Sequence, residues 1–187
     1  MKLKDMMYVS LFAAVTAALG LLPPLTLSFT PVPITAQTLG VMLAGAVLGA
    51  RRGFMSLLIF DLLVAAGAPL LSGGRGGFSV ILGPSGGYIL SWPIAALIIG
   101  YLVEKSWRSL RMWNMVAIQI LGGIIFVYAC GVTYTAMVLK TPWLANATAS
   151  LIFIPGDLTK VVISSLVALQ IKRIYPLIRQ ETEQKAA

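Results

Sequence analysis

Residues 112–139, MWNMVAIQILGGIIFVYACGVTYTAMVL, run without a charged side chain between Arg111 and the closing Lys140-Thr141-Pro142. Such a run exceeds the ~20 residues an α-helix needs to cross the hydrocarbon core of a bilayer. The rest of the chain has the same character. Of its 187 residues 58% are hydrophobic and only 11% charged, and mean hydropathy is +0.91. A soluble domain of this size needs a larger polar fraction to cover its surface, so the apolar excess faces lipid.

Working outward from that run, the punctuation marks further apolar helices. Upstream, one covers 86–103, after the glycine-rich stretch Ser72-Gly73-Gly74-Arg75-Gly76-Gly77 and Gly83-Pro84. Before it come 53–68, ended by Gly67 and Pro69; 36–50, stopped by Arg51-Arg52; and 6–22, ended by Pro23-Pro24. The N-terminal stretch is read as an uncleaved first span, because no small-residue cleavage region follows it. Downstream, a last helix starts near Pro155, a good first-turn residue, and runs to Lys172-Arg173. Segments 36–50 and 53–68 are short for full spans and are expected to be tilted or irregular.

Charge orients the bundle. Alternating sides, Lys2, Lys4, Arg51, Arg52, Lys105, Arg108, Arg111, Lys172, Arg173, Arg179 and Lys185 fall together, eleven of the fourteen Lys and Arg. Arg75 and Lys140 fall opposite, and Lys160 lies in the last helix. The basic side is cytoplasmic by the positive-inside rule. The sequence therefore predicts a single domain over 1–187, an all-α integral membrane protein with six transmembrane helices and both termini cytoplasmic. The outer connections, rich in Pro and Gly, suit either a cover over an outward-facing site or plain linkage.

Composition prunes function. The net charge of +8 would suggest nucleic acid in a soluble protein. Here the cations sit at helix ends as orientation signals, so the expected surroundings are lipid and not nucleic acid. Histidine is absent and Cys130 is the only cysteine. No thiolate metal site or disulfide is expected, no catalytic residue is assigned, and no cofactor is called for.

Acidic residues within the helices are costly, roughly 2–3 kcal/mol each at mid-membrane. Glu104 belongs to the cytoplasmic basic cluster and reads as solvated. Asp61, in the middle of 53–68, reads first as a structural hydrogen-bonding group. Asp157 and Lys160 share a helix face at the outer end of the last helix, where an intramembrane ionisable pair points to a polar cavity. Thr35 and Gln37, Ser79 and Ser85, and Tyr88 with Trp92 on one face lie at the same depth. Trp143, in the outer loop, reads as an interfacial aromatic. Together they describe an apolar, aromatic-walled small-molecule site with a few convergent polar groups. In the first helix, Ala13-Ala14 and Ala17-Ala18 form two overlapping small-xxx-small stripes that allow close helix approach.

The runs Thr30-Pro31-Val32-Pro33-Ile34-Thr35-Ala36-Gln37-Thr38-Leu39-Gly40, Gly83-Pro84-Ser85-Gly86-Gly87-Tyr88 and Pro155-Gly156-Asp157-Leu158-Thr159-Lys160 resemble the BioY family. These are the biotin-specific substrate-binding (S) components of energy-coupling-factor (ECF) transporters, and the likeness spans essentially the whole chain. The resemblance implies a prokaryotic plasma-membrane protein that captures external biotin. It further implies partners, namely a transmembrane coupling subunit and two ATPase subunits. The chain carries no phosphate-binding G-x-x-x-x-G-K-[ST] loop of its own, so ATP would be hydrolysed by those partners. The resemblance maps the family's Asp and Lys onto Asp157 and Lys160, and its docking motif onto the alanines of the first helix. Chemically, Asp157 can accept from a ureido N–H of biotin and Lys160 can donate to the ureido carbonyl, while the ring system and valeryl chain pack on Tyr88 and Trp92. Gln37 and Ser79 are further candidates for polar contacts, and Arg75 for drawing in the carboxylate during capture.

Three other readings compete with this one. Gly83-Pro84-Ser85-Gly86-Gly87 satisfies G-x-S-x-G, and a Ser85–Lys160 hydrolytic dyad would need a desolvated lysine as base. A stand-alone secondary transporter would rely on Asp61 as its proton carrier and show an inverted repeat, which is not evident. A purely structural membrane subunit would bind no ligand.

Overall fold

The computed structural model describes residues 3–26, 30–174 and 177–178. Lys2, Arg179 and Lys185, assigned above to the cytoplasmic side, lie outside the described residues. The described chain is helical, with backbone bridges only at Leu25–Ile34 and Leu71–Arg75. Its elements are α1 (Leu3–Gly20), α2 (Gln37–Leu48), α3 (Ala50–Ala65), α4 (Phe78–Leu82), α5 (Gly86–Lys105), α6 (Met112–Gln119), α7 (Val127–Leu139), α8 (Trp143–Ser150) and α9 (Ile154–Ile174). A π-helical segment, Ile120–Phe126, joins α6 to α7, and a 3₁₀ turn, Leu151–Phe153, joins α8 to α9.

Among the described residues, four helical runs are long and apolar enough to cross a membrane: Leu3–Gly20, Gly86–Lys105, Met112–Leu139 and Trp143–Ile174. Shorter α2 and α3 have 12 and 16 residues. Helices α5, α7 and α9 keep large apolar side chains on their outsides, among them Leu90, Ile94, Leu97, Val138, Leu158, Val162 and Leu166. A helix apolar on every face is stable only where one face meets protein and the other lipid. Inside the bundle, Met42, Phe60, Leu57, Ile99 and Val161 are fully buried, in two adjoining clusters.

Contacts tie the bundle at two ends. At one, Arg52 pairs with Asp5 at 2.7 Å, the Ala50 amide donates to Glu104 Oε1 at 2.8 Å, and Lys172 Nζ donates to the Trp107 carbonyl at 2.7 Å. Glu104, read from sequence as merely solvated, thus caps the start of α3. All the described cations expected on the cytoplasmic side belong to this end. The opposite end gathers the starts of α2, α5 and α9 and the connections before them.

Several boundaries differ from the sequence reading, for local reasons. Helix α2 ends not at Arg51-Arg52 but at Gly49, whose φ of +84° breaks the helix in one residue. The two arginines then fall in the first turn of α3, where the Asp5 carboxylate stabilises Arg52. Trp143, expected in a loop, begins α8. That helix leads through the 3₁₀ turn into α9, which opens at Ile154, so Pro155 stands in the first turn as expected. Residues 78–82 of the glycine-rich connection form the short α4. The π segment contains Gly122 and Gly123, where a side chain would meet Ile99 of α5 and Met42 of α2, so close packing fixes the widened turn.

Candidate ligand-binding site

A cavity open on one side lies at the end of the bundle opposite the basic cluster. Its walls come from the connection 32–35, the start of α2, Leu71 and Arg75, Ser85 and the first half of α5, the start of α7, Phe153 and the start of α9. The sequence motifs explain why these elements meet. At Gly87 a Cβ would strike the Tyr134 side chain, and at Gly86 the Ile81 carbonyl. A side chain at Gly131 would strike the ring of Tyr88. Gly87 and Gly131 therefore let α5 press against α7, and Gly86 lets the start of α5 lie against α4. The junction is held by Tyr134 Oη donating to the Ile81 carbonyl at 3.0 Å and Thr135 Oγ1 donating to the Pro84 carbonyl at 2.7 Å. Tyr88, the next residue, and Trp92, one turn further, face the cavity.

Asp157 and Lys160 form the polar centre. Lys160 Nζ donates to Asp157 Oδ1 at 2.7 Å, to the Thr35 carbonyl at 2.7 Å and to Thr38 Oγ1 at 3.0 Å. An ammonium has three donors, and all are committed. Asp157 Oδ1 also accepts from Thr38 Oγ1 at 3.4 Å, and Oδ2 accepts from Tyr128 Oη at 2.5 Å. The side chains are 7% and 15% exposed, so the pair is largely desolvated yet still borders the cavity. Around it stand four aromatics. Tyr128 contacts Tyr88 edge-on at 6.2 Å and Phe153 at 6.4 Å, while Trp92 leans on Phe60 at 5.9 Å behind the wall. Tyr88 Oη is hydrogen-bonded to Ser150 Oγ at 3.2 Å, and Trp92 Nε1 is buried without a partner among the described residues.

Of the residues singled out from sequence, Asp157, Lys160, Tyr88, Trp92 and Gln37 all border this cavity. Gln37, however, is 1% exposed and its amide is spent on protein. Nε2 donates to the carbonyls of Thr16 and Leu70, and Oε1 accepts from the amide and hydroxyl of Ser72. Ser79 is exposed on α4 and is not part of the cavity wall, whereas Ser85 is. None of the Lys160 hydrogen bonds goes to Ser85; they go to Asp157, Thr35 and Thr38. Asp61 is buried but does not border the cavity, and its Oδ1 has no hydrogen-bond partner among the described residues.

The alanine stripes separate. Ala13 is buried and Ala17 half-buried against the core cluster of Val41, Ala44 and Leu57, while Ala14 and Ala18 are exposed. Sequence reading missed Tyr128, Thr38, Val127 and Phe153. Thr38 sat inside the quoted Thr30–Gly40 run and could have been included. Tyr128 and Val127 lie in a run apolar on all sides, where nothing distinguishes an inward position.

The BioY family matches residues 1–177. The chain belongs to the BioY family. A probable biotin transporter of Bacillus subtilis is 46% identical over 177 residues, covering 95% of both chains. The biotin transporter of Rhizobium etli is 44% identical, covering 95% of this chain and 98% of that one. Among solved structures, the S-component for biotin from an ECF-type ABC transporter superimposes with a TM-score of 0.89 at 34% identity, over 92% of each chain. The BioY likeness thus covers every element that builds the cavity. Among the described residues no cluster of His, Cys, Asp and Glu suits a metal ion, and the polar centre of this BioY chain is an ion pair.

Proposed function

We propose that the cavity is the biotin site of an S component, loaded from outside the cell and emptied inward when the chain works with its ECF partners. The protein is a biotin transporter of the S-component class and not an enzyme, in keeping with its family and its relatives. The observation that carries the site assignment is the Asp157–Lys160 pair, set at the rim of an otherwise apolar, aromatic cavity. Biotin's ureido group presents two N–H donors and a strongly accepting carbonyl. Asp157 retains lone pairs for a ureido N–H. Lys160, with its donors committed, must release Thr38 or the Thr35 carbonyl to reach the ureido carbonyl. Ligand binding would then loosen the 32–38 segment from α9 and replace those bonds with its own. The thiophane ring and valeryl chain would pack on Tyr88, Trp92 and Phe153.

Helices α2 and α3 would complete six crossings together with the four long runs, and the basic end would face the cytoplasm of a prokaryotic plasma membrane. The short helices need not span alone, because α2 is almost wholly buried among its neighbours. Exposed Ala14 and Ala18 would form the docking face for the transmembrane coupling subunit, with two ATPase subunits beyond it, while Ala13 and Ala17 serve internal packing. The test is uptake of labelled biotin by a bacterial host lacking its own biotin importer. Uptake that needs this chain, rises with the co-expressed coupling and ATPase subunits, and falls with bulky replacement of Ala14 and Ala18 supports the reading. Uptake indifferent to both would overturn it.

A further inference from the structure

The end of the bundle away from the cavity has a pattern of its own. Its described cations outnumber its two described carboxylates, and both carboxylates are engaged within the fold. Asp5 pairs with Arg52 at 2.7 Å, and Glu104 takes the Ala50 amide at 2.8 Å. On the short connection from α5 to α6, Lys105, Arg108 and Arg111 are exposed and make no ion pair among the described residues. Like charges gathered on so few residues repel one another, and an anion placed among them relieves that repulsion.

The connection is also held in place. Trp107–Ser109 form a 3₁₀ turn, closed by the Ser109 amide on the Ser106 carbonyl at 3.0 Å. Lys172 of α9 donates to the Trp107 carbonyl at 2.7 Å and lies 4.9 Å from the centre of the Trp107 ring. From the other side, Asn114 Nδ2 of α6 donates to the Ser109 carbonyl at 2.9 Å, and Leu110 is buried in the core. Arg108 and Arg111 therefore leave a fixed backbone. Their Cα atoms, three residues apart, lie within about 10 Å of each other, so the two long side chains can close on one phosphate.

The helix that follows supplies the apolar half of a site. Trp113 is 83% exposed, and Ala117, Leu121 and Ile125, at successive steps of four, are exposed too, whereas Met115, Ile118 and Ile124 are buried. This outer face belongs to the apolar run Met112–Leu139 and so meets lipid. An indole at the start of a spanning run sits at headgroup level. At 1.5 Å per residue, Leu121 lies ~12 Å deeper. Guanidinium, indole and alkyl surface thus follow one another in the order of a phospholipid's phosphate, glycerol region and acyl chain.

We propose that the α5–α6 connection is a binding site for an anionic phospholipid. Arg108 and Arg111 take its phosphate, Lys105 adds charge, and one acyl chain lies along Trp113, Ala117 and Leu121. A lipid fits better than an acidic protein surface because the cations stand at the head of a membrane-facing apolar lane. Nothing in this site depends on what fills the outer cavity.

The test reconstitutes the full chain in phosphatidylcholine vesicles that carry a minor fraction of one lipid with brominated acyl chains, either phosphatidylglycerol or phosphatidylcholine. Bromine quenches an indole only at contact, and the share of Trp113 is the part of the signal that Trp113→Phe removes. At Trp113 the wild type should favour the anionic lipid by roughly five- to twentyfold, the range for two cations near a charged surface. High salt should shrink that preference. Arg108→Gln with Arg111→Gln should bring it close to one. Arg51→Gln with Arg173→Gln, two exposed cations at the same end, removes the same charge and should leave most of the preference. Melting curves check that each variant is folded. Equal quenching of Trp113 by the two brominated lipids in wild type overturns the proposal and leaves the connection to an acidic partner protein. Equal losses in the two double variants overturn it as well, because a diffuse basic end without a site would behave in that way.

Discussion

Replacing Asp157 with Asn keeps the side-chain shape and removes only the charge. In the native site the carboxylate takes bonds from Lys160 at 2.7 Å and Tyr128 at 2.5 Å. With Asn, Oδ1 can still accept from Lys160, but Nδ2 then faces Tyr128 Oη, which must turn and accept. The hydrogen bonds survive, while the lysine loses its counterion. Breaking a buried ion pair from one side costs about 3–5 kcal/mol. Lys160 keeps Thr35 and Thr38 and some solvent contact, so the loss of stability should lie near the lower bound, about 3 kcal/mol. Binding falls for a separate reason. The ureido N–H would meet a neutral carbonyl in place of a carboxylate, and the charge-assisted bond loses about half its strength, ~1–1.5 kcal/mol or roughly tenfold in affinity. The double variant Asp157→Asn with Lys160→Met separates the two effects. It removes both charges, so thermal stability in detergent should recover most of what the single change lost, while biotin affinity should fall further. Melting curves and biotin titrations on the four proteins of this cycle provide the assay. A double variant that binds biotin like wild type would refute the assignment of the ureido site to α9.

Other outcomes follow from the same geometry. Tyr128→Phe removes the hydroxyl that holds Asp157 Oδ2 and should weaken biotin about three- to tenfold with a small change in melting temperature, read in the same titration. Gly87→Ala puts a methyl group against Tyr134 and should destabilise the α5–α7 contact by about 1–3 kcal/mol, lowering both the melting point and the affinity. Trp92 borders the cavity and Trp143 is exposed at the start of α8, so Trp92→Phe should abolish most of the ligand-dependent fluorescence change and Trp143→Phe should leave it. Asp61→Asn should leave biotin uptake close to wild type, because Asp61 is outside the cavity; a proton-coupled carrier would lose uptake.

The membrane character and the end-to-end sorting of cations were legible in the sequence, because hydropathy and charge act through local composition. So was the place of Asp157 and Lys160 beside a cavity, since ionisable residues are costly choices inside a membrane. Which face of each helix turns inward was not legible. Helices apolar all round lack the polar stripe that marks an outside, which is why Tyr128 and Val127 went unremarked. Gln37 was visible as a polar residue at the right depth. Its amide is nevertheless consumed by Thr16, Leu70 and Ser72, partners 21 to 35 residues away that only the fold brings together. Ser79 failed in the opposite sense: a short helix, α4, carries it out of the cavity, and no periodicity signals a helix of five residues. The alanine stripes of α1 were equivalent on paper, and packing against Val41 and Leu57 divided them into an inner and an outer face.

This chain alone is expected to hold a biotin site built on Asp157 and Lys160. Its most direct test is a titration of the purified, detergent-solubilised chain with biotin, followed by tryptophan fluorescence and checked by equilibrium dialysis with labelled biotin. Saturable, tight binding of one biotin per chain is expected, lost or sharply weakened in Asp157→Asn and Lys160→Met. A well-folded wild-type chain that shows no saturable binding by either method would contradict it.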